Sequence, residues 1–226
     1  MKFVYPGIEM IFRVGETYVN ELVIENKRLF REVVEDLSAQ VSGFSGKALL
    51  SIDNVSVDTQ KHIEVITRFV PFEMNRKTLI SKMLQKFEEK AVDSEHFFHT
   101  SEIMRLIETY LDNITEDSDC ELSYSKLNIS SIIKAAGIEI DEYGKSNLER
   151  MYDYFELVRS FEGDKVFFLV NMRAFYSDDV MREFIRTAIG HRIKIFLLES
   201  EIRGKLENIG ISSTTRTSPT APESAI

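Results

Sequence analysis

The feature that most constrains the fold is a nearly continuous apolar run, KVFFLVNM, at residues 165–172. Such a run is typical of a strand that is covered on both faces, as the strands of a parallel sheet are. A helical pattern, DDVMREFIRTAIG, follows the candidate N-cap Ser177, and a second apolar run, RIKIFLLES, occupies residues 192–200. Strand, helix and strand in this order predict a β-α-β unit with parallel strands and a right-handed crossover. The fold class that follows is α/β.

The N-terminal part of the chain has a similar mixed pattern. Residues 8–14 and 17–25 are rich in strand-forming side chains, and a helical pattern over 26–43 follows them. Two further segments, 47–53 and 62–69, have the composition of strands. These elements predict that both ends of the chain contribute to one α/β body.

The middle of the chain changes character, because helical periodicity dominates residues 75–136. We therefore predict an α/β head domain from residues 1–72 and 143–211, with a helical subdomain, 73–142, inserted between its halves. The last residues, 212–226, are polar and contain two prolines, so their composition predicts a disordered tail.

Local signals mark the ends of several helices. Asn75 and Asn128 are candidate N-caps, and Gly137 is a candidate stop. Ser146 and Glu149 fit the S-x-x-E capping box that opens a helix.

Composition limits the classes of function. The chain has 37 acidic and 28 basic residues and a formal net charge of −9, which argues against indiscriminate binding of nucleic acid over the whole surface. A local basic groove stays compatible with this balance. One cysteine, the absence of a long apolar run and the absence of a secretory signal at the N-terminus predict a cytoplasmic protein without a membrane segment.

A strand-to-helix stretch at residues 68–90, RFVPFEMNRKTLISKMLQKFEEK, has the layout of a phosphate-binding loop without its glycines. Such a loop needs glycines because their backbone amides must close around the phosphates. Lys77 and Thr78 are preceded here by PFEMNR, which contains no glycine. A degenerate nucleotide site, a basic surface for another polyanion, and an ordinary packed helix are the three interpretations.

Lysines form a column along the helix predicted within this stretch. Lys82, Lys86 and Lys90 are four residues apart, and Arg76 and Lys77 stand at the start. One interpretation is a solvated flank whose lysine stems cover the edge of the core. The other is a groove for a phosphate backbone.

Acidic residues cluster over 112–121 and again at Glu139, Asp141 and Glu142. Oxygen-only clusters suit a hard cation such as calcium, although a solvated loop has the same composition. His96 and His99 are spaced to share a metal ion, but they are equally compatible with surface histidines. No catalytic motif is present, so we expect a protein that is not an enzyme.

The chain resembles the Csn-type CRISPR adaptation proteins of type II-A systems over residues 1–205. The resemblance rests on the order of strands and helices, on CELSYSKLNISSIIKAAGIEI at 120–140, and on the pattern of 148–199, with Asn171 after one strand and Glu199 ending the next.

This resemblance implies a non-catalytic protein that acts in spacer acquisition with the CRISPR integrase complex and the RNA-guided effector nuclease. Family members form a homotetrameric ring that binds double-stranded DNA ends in a basic central hole. It also implies a mostly parallel, RecA-like head that has lost its phosphate loop, an inserted α-helical leg, and calcium near their junction.

We expect the DNA groove to be formed by Arg76, Lys77, Lys82 and Lys86. The expected calcium ligands are Asp117, Asp119, Glu121, Glu139 and Asp141. The sequence SYSK at 123–126 departs from the acid-rich segment of relatives, which leaves fewer ligands. Two alternatives are a P-loop-like nucleotide-binding ATPase and a protein–protein scaffold that does not bind DNA.

Overall fold

A computed structural model of the chain describes residues 1–116, 120, 122, 125, 127–204 and 206, together with the backbone of 211–217. The chain forms two compact units. The larger consists of Met1–Phe72 and Lys145–Ile226, and the smaller consists of Glu73–Gly144.

The larger unit contains two sheets. An antiparallel sheet in the order β2-β1-β4-β5 is formed by β1 (Lys2–Val4), β2 (Phe12–Arg13), β4 (Leu49–Ile52) and β5 (Val55–Val57). A parallel sheet in the order β6-β7-β8-β3-β9 is formed by β3 (Val19–Ile24), β6 (Ile63–Ile66), β7 (Val166–Val170), β8 (Lys194–Glu199) and β9 (Ile211–Thr217). Strands β7 and β8 pair in parallel, so the predicted β-α-β unit and the α/β class are confirmed.

Both faces of the parallel sheet are covered, because every residue of β3 and of β7 is buried. One face packs against α1 (Lys27–Val41) and the antiparallel sheet in a single apolar cluster. In that cluster the rings of Phe168 and Phe196 stack with centroids 4.6 Å apart, and Phe3 meets both edge-on.

The other face of the sheet packs against α6 (Asn147–Phe161) and α7 (Asp178–Gly190). The rings of Phe155 on α6 and Phe167 on β7 lie 4.2 Å apart, and Phe184 on α7 packs edge-on against Phe155. A one-turn helix, α2 (Thr59–His62), precedes β6. Helices and antiparallel strands together exclude water from the strands, as their continuous apolar sequences require.

Two segments differ from the sequence predictions. Residues 211–217 form edge strand β9, paired with β3, where a disordered tail was predicted; β-branched threonines favour extended structure despite their polarity. Residues 218–226 lie outside the described part. In the predicted strand 8–14 only Phe12–Arg13 is extended, because Ile8 and Met10 close tight turns instead.

The smaller unit consists of α3 (Lys77–Ala91), α4 (Phe97–Thr115) and α5 (Ile129–Ala135), as the periodicity predicts. Helix α3 buries Leu79 and Met83. Glu88 of α3 accepts a 2.6 Å hydrogen bond from the Ser130 hydroxyl of α5 and lies 3.5 Å from the Lys134 ammonium. No helix in the described part is long and apolar enough to cross a membrane.

Helix caps follow the sequence signals in part. Asn128 caps α5, and Ser146 and Glu149 form the predicted capping box at α6. Asn75 is not an N-cap: Arg76 holds that position in α3 without a side-chain bond, because the Asn75 amide is bonded to the Ile140 backbone.

An ion cluster is buried at the carboxyl edge of the parallel sheet. The Arg173 guanidinium donates to Glu21 at 2.5 Å, to Asp178 at 3.0 Å and to the Gly204 carbonyl at 2.5 Å. Its backbone N–H donates to Glu199 at 3.1 Å. Arg173, Glu21 and Glu199 are each at most 3% exposed.

Burial raises the pKa of the Glu199 carboxyl to about 7, against the opposing effect of the Arg173 backbone N–H and side chain. Glu21 adds to the increase, and Arg203 opposes it. Because this value lies above that of an unfolded glutamate, about 4.3, the protonated form stabilises the fold below pH 4.3 and that stabilisation is lost as the pH rises through 7.

We predict that Glu199→Gln removes this loss, since an amide does not ionise. Between pH 5 and pH 8 the free energy of unfolding of the wild type should fall by about 2 kcal/mol relative to the variant, measured by urea denaturation at several pH values. Glu9→Gln, at an exposed position, is the control and should follow the wild type. Parallel pH profiles for wild type and Glu199→Gln would show that Glu199 stays ionised.

The two serine N-caps of α6 and α7 give a second prediction. Ser146 accepts a hydrogen bond from the Glu149 N–H, whereas Ser177 makes no cap bond. Ser146→Ala should therefore lower the free energy of unfolding by about 1 kcal/mol, and Ser177→Ala should lower it by less than half of that. Equal losses in a denaturation series would contradict the difference in capping.

Candidate nucleic-acid interface and cation pocket

The basic residues predicted to bind DNA lie at the start and along one flank of α3. Arg76 is the half-buried N-cap, and Lys77 is the exposed first residue of the helix. Lys82 and Lys86 are exposed and one turn apart, about 6 Å along the helix axis. The structure therefore places these side chains on one helix, with the two column lysines at the surface.

The start of α3 carries two basic side chains and lies next to the carboxyl groups of Glu73 and Glu142. Its first turn contains no acidic residue and begins with Arg76 and Lys77. The free N–H groups of a helix N-terminus already carry a partial positive charge, which acidic side chains usually balance. Two basic side chains at this position lower the stability of the helix slightly, and they favour an anionic ligand.

The acidic residues of α3 are engaged within the smaller unit. Glu88 is bonded to Ser130 and Lys134 of α5, and Glu89 accepts from the Gln85 amide. Because Glu88 and Glu89 already have these partners, they compete less with a phosphate group for the exposed lysines of α3.

An open pocket of about 520 Å³ is lined by four carboxyl groups of the smaller unit. Its lining residues are Glu73, Asn75, Glu139, Ile140, Asp141 and Glu142. Glu142 is committed to the backbone, because its Oε1 accepts from the N–H groups of Met74 and Asn75. The other three carboxyl groups, those of Glu73, Glu139 and Asp141, are exposed, and Asp141 Oδ1 accepts from the Tyr143 N–H at 2.9 Å.

Asn75 fixes the shape of this pocket, although its sequence pattern suggested only a cap. Its side-chain oxygen accepts from the Ile140 N–H at 2.7 Å, and its side-chain nitrogen donates to the Ile140 carbonyl at 3.0 Å. A bidentate contact between residues 65 positions apart has no local sequence signal.

The predicted calcium ligands have different outcomes. Glu139 and Asp141 line the pocket, and Asp117, Asp119 and Glu121 lie outside the described residues. Among described residues, the group of three whose ligand atoms lie within 4.8 Å of one another consists of Asp93, Glu95 and His96, so no three carboxyl groups of the pocket lie that close together.

Hydrogen bonds within the chain explain why Asp93, Glu95 and His96 lie close together. Asp93 Oδ1 accepts from the N–H groups of Glu95 and His96, and it lies 2.9 Å from His96 Nδ1. The hydrogen bond from the His96 side chain lowers the pKa of Asp93. This turn caps the start of α4, and His99 is not part of it.

The strand-to-helix turns of the parallel sheet contain no glycine loop. The β3–α1 turn consists of Glu25 and Asn26, and Asn26 accepts from the N–H groups of Arg28 and Leu29. The turn before α7 leads into Asp178 and Asp179. The amides that would bind a phosphate are capped at α1, and at α7 they are flanked by acids.

Comparisons with known proteins found a family match and a similar fold. The family described as CRISPR-associated protein (Cas_Csn2) matches residues 40–209. The crystal structure of Stu0660 of Streptococcus thermophilus is similar in fold, with a TM-score of 0.55 and 16% sequence identity over 88% of this chain and 68% of that one. No curated protein matches the chain.

The solved structure supports the mixed α/β architecture with a parallel sheet, and its low identity limits that support to the fold. The family match covers most of the chain, including the strands β6, β7 and β8 of the parallel sheet and all three helices of the smaller unit. The chain therefore belongs to the Csn2 family of CRISPR-associated proteins.

Proposed function

We propose that this protein binds the ends of double-stranded DNA during CRISPR spacer acquisition, without catalysis, as a calcium-assisted homotetrameric ring. The observation that carries the proposal is the exposed lysine flank of α3 in a member of a CRISPR-associated family. A phosphate backbone is the polyanion that such a flank fits best.

The charge balance favours binding of DNA at a local basic site rather than over the whole surface. With a net charge of −9, the chain repels DNA except where cations are concentrated. Lysine and arginine contacts to phosphate set the orientation of a duplex but do not read its bases. Recognition of DNA ends of any sequence is consistent with this chemistry.

The larger unit is, in this proposal, a RecA-like head that has lost its phosphate loop, and the smaller unit is the helical leg. Capped amides at α1 and acids at the start of α7 support this assignment, because both disfavour a nucleotide phosphate. The same features count against the ATPase alternative. The proposed setting is the cytoplasm, with the integrase complex and the effector nuclease as partners.

Calcium is the proposed cation for the acidic pocket of the smaller unit. The pocket is lined by carboxyl oxygens without histidine or cysteine, a chemistry that fits calcium better than a transition metal once Glu139 and Asp141 close on the ion. Bound there, the ion would offset the mutual repulsion of these carboxylates.

Lys82→Glu combined with Lys86→Glu should weaken binding to linear duplexes of all sequences at least tenfold. The slope of log K against log salt should also become shallower by about 2, since two phosphate contacts are lost. Fluorescence anisotropy with a linear duplex between 50 and 200 mM salt measures both quantities.

Lys47→Glu with Lys61→Glu is the matched control, because both lysines are exposed in the larger unit and the change of charge is the same. An equal loss in the control would assign the effect to net charge alone. A wild type that never binds duplex, while a CRISPR protein partner co-purifies with it, would favour the scaffold alternative.

Calcium should raise the thermal midpoint of the wild type more than magnesium does, and Glu139→Gln with Asp141→Asn should abolish the increase. At a calcium concentration ten times Kd the expected stabilisation is about 1.4 kcal/mol. Calorimetry with and without a chelator measures it.

Asp93→Asn with Glu95→Gln is the control for this test and should keep the calcium response. If only that control loses the calcium response, the cation site lies at the start of α4. A response that survives in both double variants would exclude both sites as the source of the stabilisation.

A further inference from the structure

Another open pocket, of about 340 Å³, lies against the antiparallel sheet of the larger unit. We call it the β1–β2 pocket, and the side chains that line it include those of Lys2, Arg13, Tyr18, Ser51, Asp53 and Asn54. Lys2 and Arg13 are directly opposite each other on β1 and β2, and Lys2 is also opposite Ser51 on β4. Their strand neighbours Phe3 and Phe12 are buried in the core, so the two cations lie on the other face of the sheet.

Neither cation has an acidic partner in the part of the chain that the structure describes. The Lys2 ammonium donates to the neutral side-chain oxygen of Asn54 at 2.7 Å, and the Arg13 guanidinium makes no hydrogen bond or ion pair with a described residue. Glu16, which follows Arg13 in the sequence, instead lies 3.5 Å from the Lys194 ammonium. Like charges directly opposite each other destabilise a sheet. An anion bound between Lys2 and Arg13 would therefore relieve their repulsion.

The β4–β5 hairpin positions Asn54 at the pocket. Its two-residue turn consists of Asp53 and Asn54, with φ angles of 50° and 64°, which is the left-handed geometry of a tight hairpin. The Asn54 side-chain oxygen is committed to Lys2, and its amide nitrogen is a donor. The Ser51 hydroxyl adds a donor beside Lys2. Asp53 contributes the one carboxyl group among the lining residues.

Tyr18 gives the pocket an aromatic wall. Its ring packs against Gly15 so closely that a Cβ at position 15 would lie 2.8 Å from a ring carbon. Glycine at this position therefore lets the half-buried ring keep its place in the pocket lining. An aromatic face beside two cations is a surface on which a base or a sugar can pack while its phosphate meets the cations.

We propose that the β1–β2 pocket binds a phosphate monoester that carries a ring, the chemistry shared by a nucleoside monophosphate and the 5′-phosphorylated end of a nucleic-acid strand. A terminal phosphate has a charge of about −1.5 to −2 at pH 7 and three acceptor oxygens, which match two opposed cations and the neighbouring donors. A volume of about 340 Å³ is near the lower end of ligand pockets, which fits one nucleotide.

A longer phosphate chain fits the pocket less well, because its additional negative charges would meet the Asp53 carboxylate. The residues of the pocket belong to the larger unit, and the lysine flank of α3 belongs to the smaller one. The inference therefore goes beyond the proposed function and does not depend on it.

The test is isothermal titration calorimetry of the full chain with adenosine 5′-monophosphate at low salt. The wild type should bind with a dissociation constant below about 1 mM. Arg13→Gln should raise this constant about tenfold, because charge-assisted hydrogen bonds to the phosphate are lost. Arg186→Gln is the matched control, since Arg186 is an exposed arginine of α7 outside the pocket lining, and it should keep the wild-type constant.

Two further variants separate binding from loss of structure. Asp53→Asn should lower the dissociation constant for inorganic phosphate about threefold, because it removes a repulsive charge, and a merely damaged pocket would not bind more tightly. Tyr18→Leu should raise the constant for adenosine 5′-monophosphate about fivefold and leave that for inorganic phosphate unchanged, since only the nucleotide contacts the ring. The thermal midpoint of each variant verifies that it is folded.

A short single strand with a 5′ phosphate, compared with the same strand without it, distinguishes the two sources of the ligand. A phosphorylated strand that binds more tightly than both the unphosphorylated strand and the mononucleotide would identify a nucleic-acid end as the ligand. Binding of the mononucleotide without any effect of the strand's 5′ phosphate would identify a free nucleotide. In either case the effect of the phosphate should disappear in Arg13→Gln.

The proposal would be overturned if the wild type bound neither the mononucleotide nor the phosphorylated strand in preference to the unphosphorylated one. Wild-type affinity of Arg13→Gln for adenosine 5′-monophosphate would overturn it as well. An equal loss of affinity in Arg186→Gln would also do so, because the effect would then come from net charge and not from the pocket.

Discussion

One buried guanidinium, that of Arg173, is the contact on which the carboxyl edge of the parallel sheet depends. The guanidinium donates to Glu21 on β3, to Asp178 at the start of α7 and to the carbonyl of Gly204. The backbone N–H of Arg173 donates to Glu199 at the end of β8. Removing a partner from such a cluster leaves a buried charge uncompensated, which is strongly destabilising. The cluster therefore fixes the positions of β3, the end of β8, the start of α7 and Gly204 relative to one another.

The same cluster changes what this edge of the sheet can do. In α/β proteins the carboxyl ends of parallel strands are the usual place for a ligand. Here two carboxyl groups, those of Glu21 and Asp178, contact the one guanidinium, and Glu199 accepts from the Arg173 backbone N–H, so no cation is left over for an incoming phosphate in this cluster. With the α1 amides capped by Asn26, no anionic ligand is favoured at the β3–α1 turn. Binding of a duplex backbone is better served by the smaller unit.

Local sequence signals predicted much of the fold because their causes are local. The capping box at Ser146 and the apolar runs of β7 and β8 depend on neighbouring residues only. Contacts between distant residues could not be predicted in this way. Glu21 and Arg173 are 152 positions apart, and neither has a pattern that identifies its partner. The same holds for Asn75, because an Asn side chain can bond a distant backbone group, here that of Ile140, as readily as it can cap a helix.

The candidate site was predictable to the same extent. Spacing along one helix placed Lys82 and Lys86 on one flank, and the structure exposes both. Periodicity could not show which apolar residues of α4 are covered, because helical spacing describes two faces equally well. The order of strands in the parallel sheet was also beyond reach, since β3 pairs with β8 and β9 from the other end of the chain.

Helices α3 and α4 expose different chemistry. Helix α3 buries Leu79 and Met83 and exposes lysines, whereas α4 exposes large apolar side chains such as Leu106 and Tyr110. A duplex held by the lysines of α3 would be released by salt, because screening weakens contacts between exposed charges. The proposed ring would bring the lysines of several copies together, which one chain with a net charge of −9 does not achieve alone.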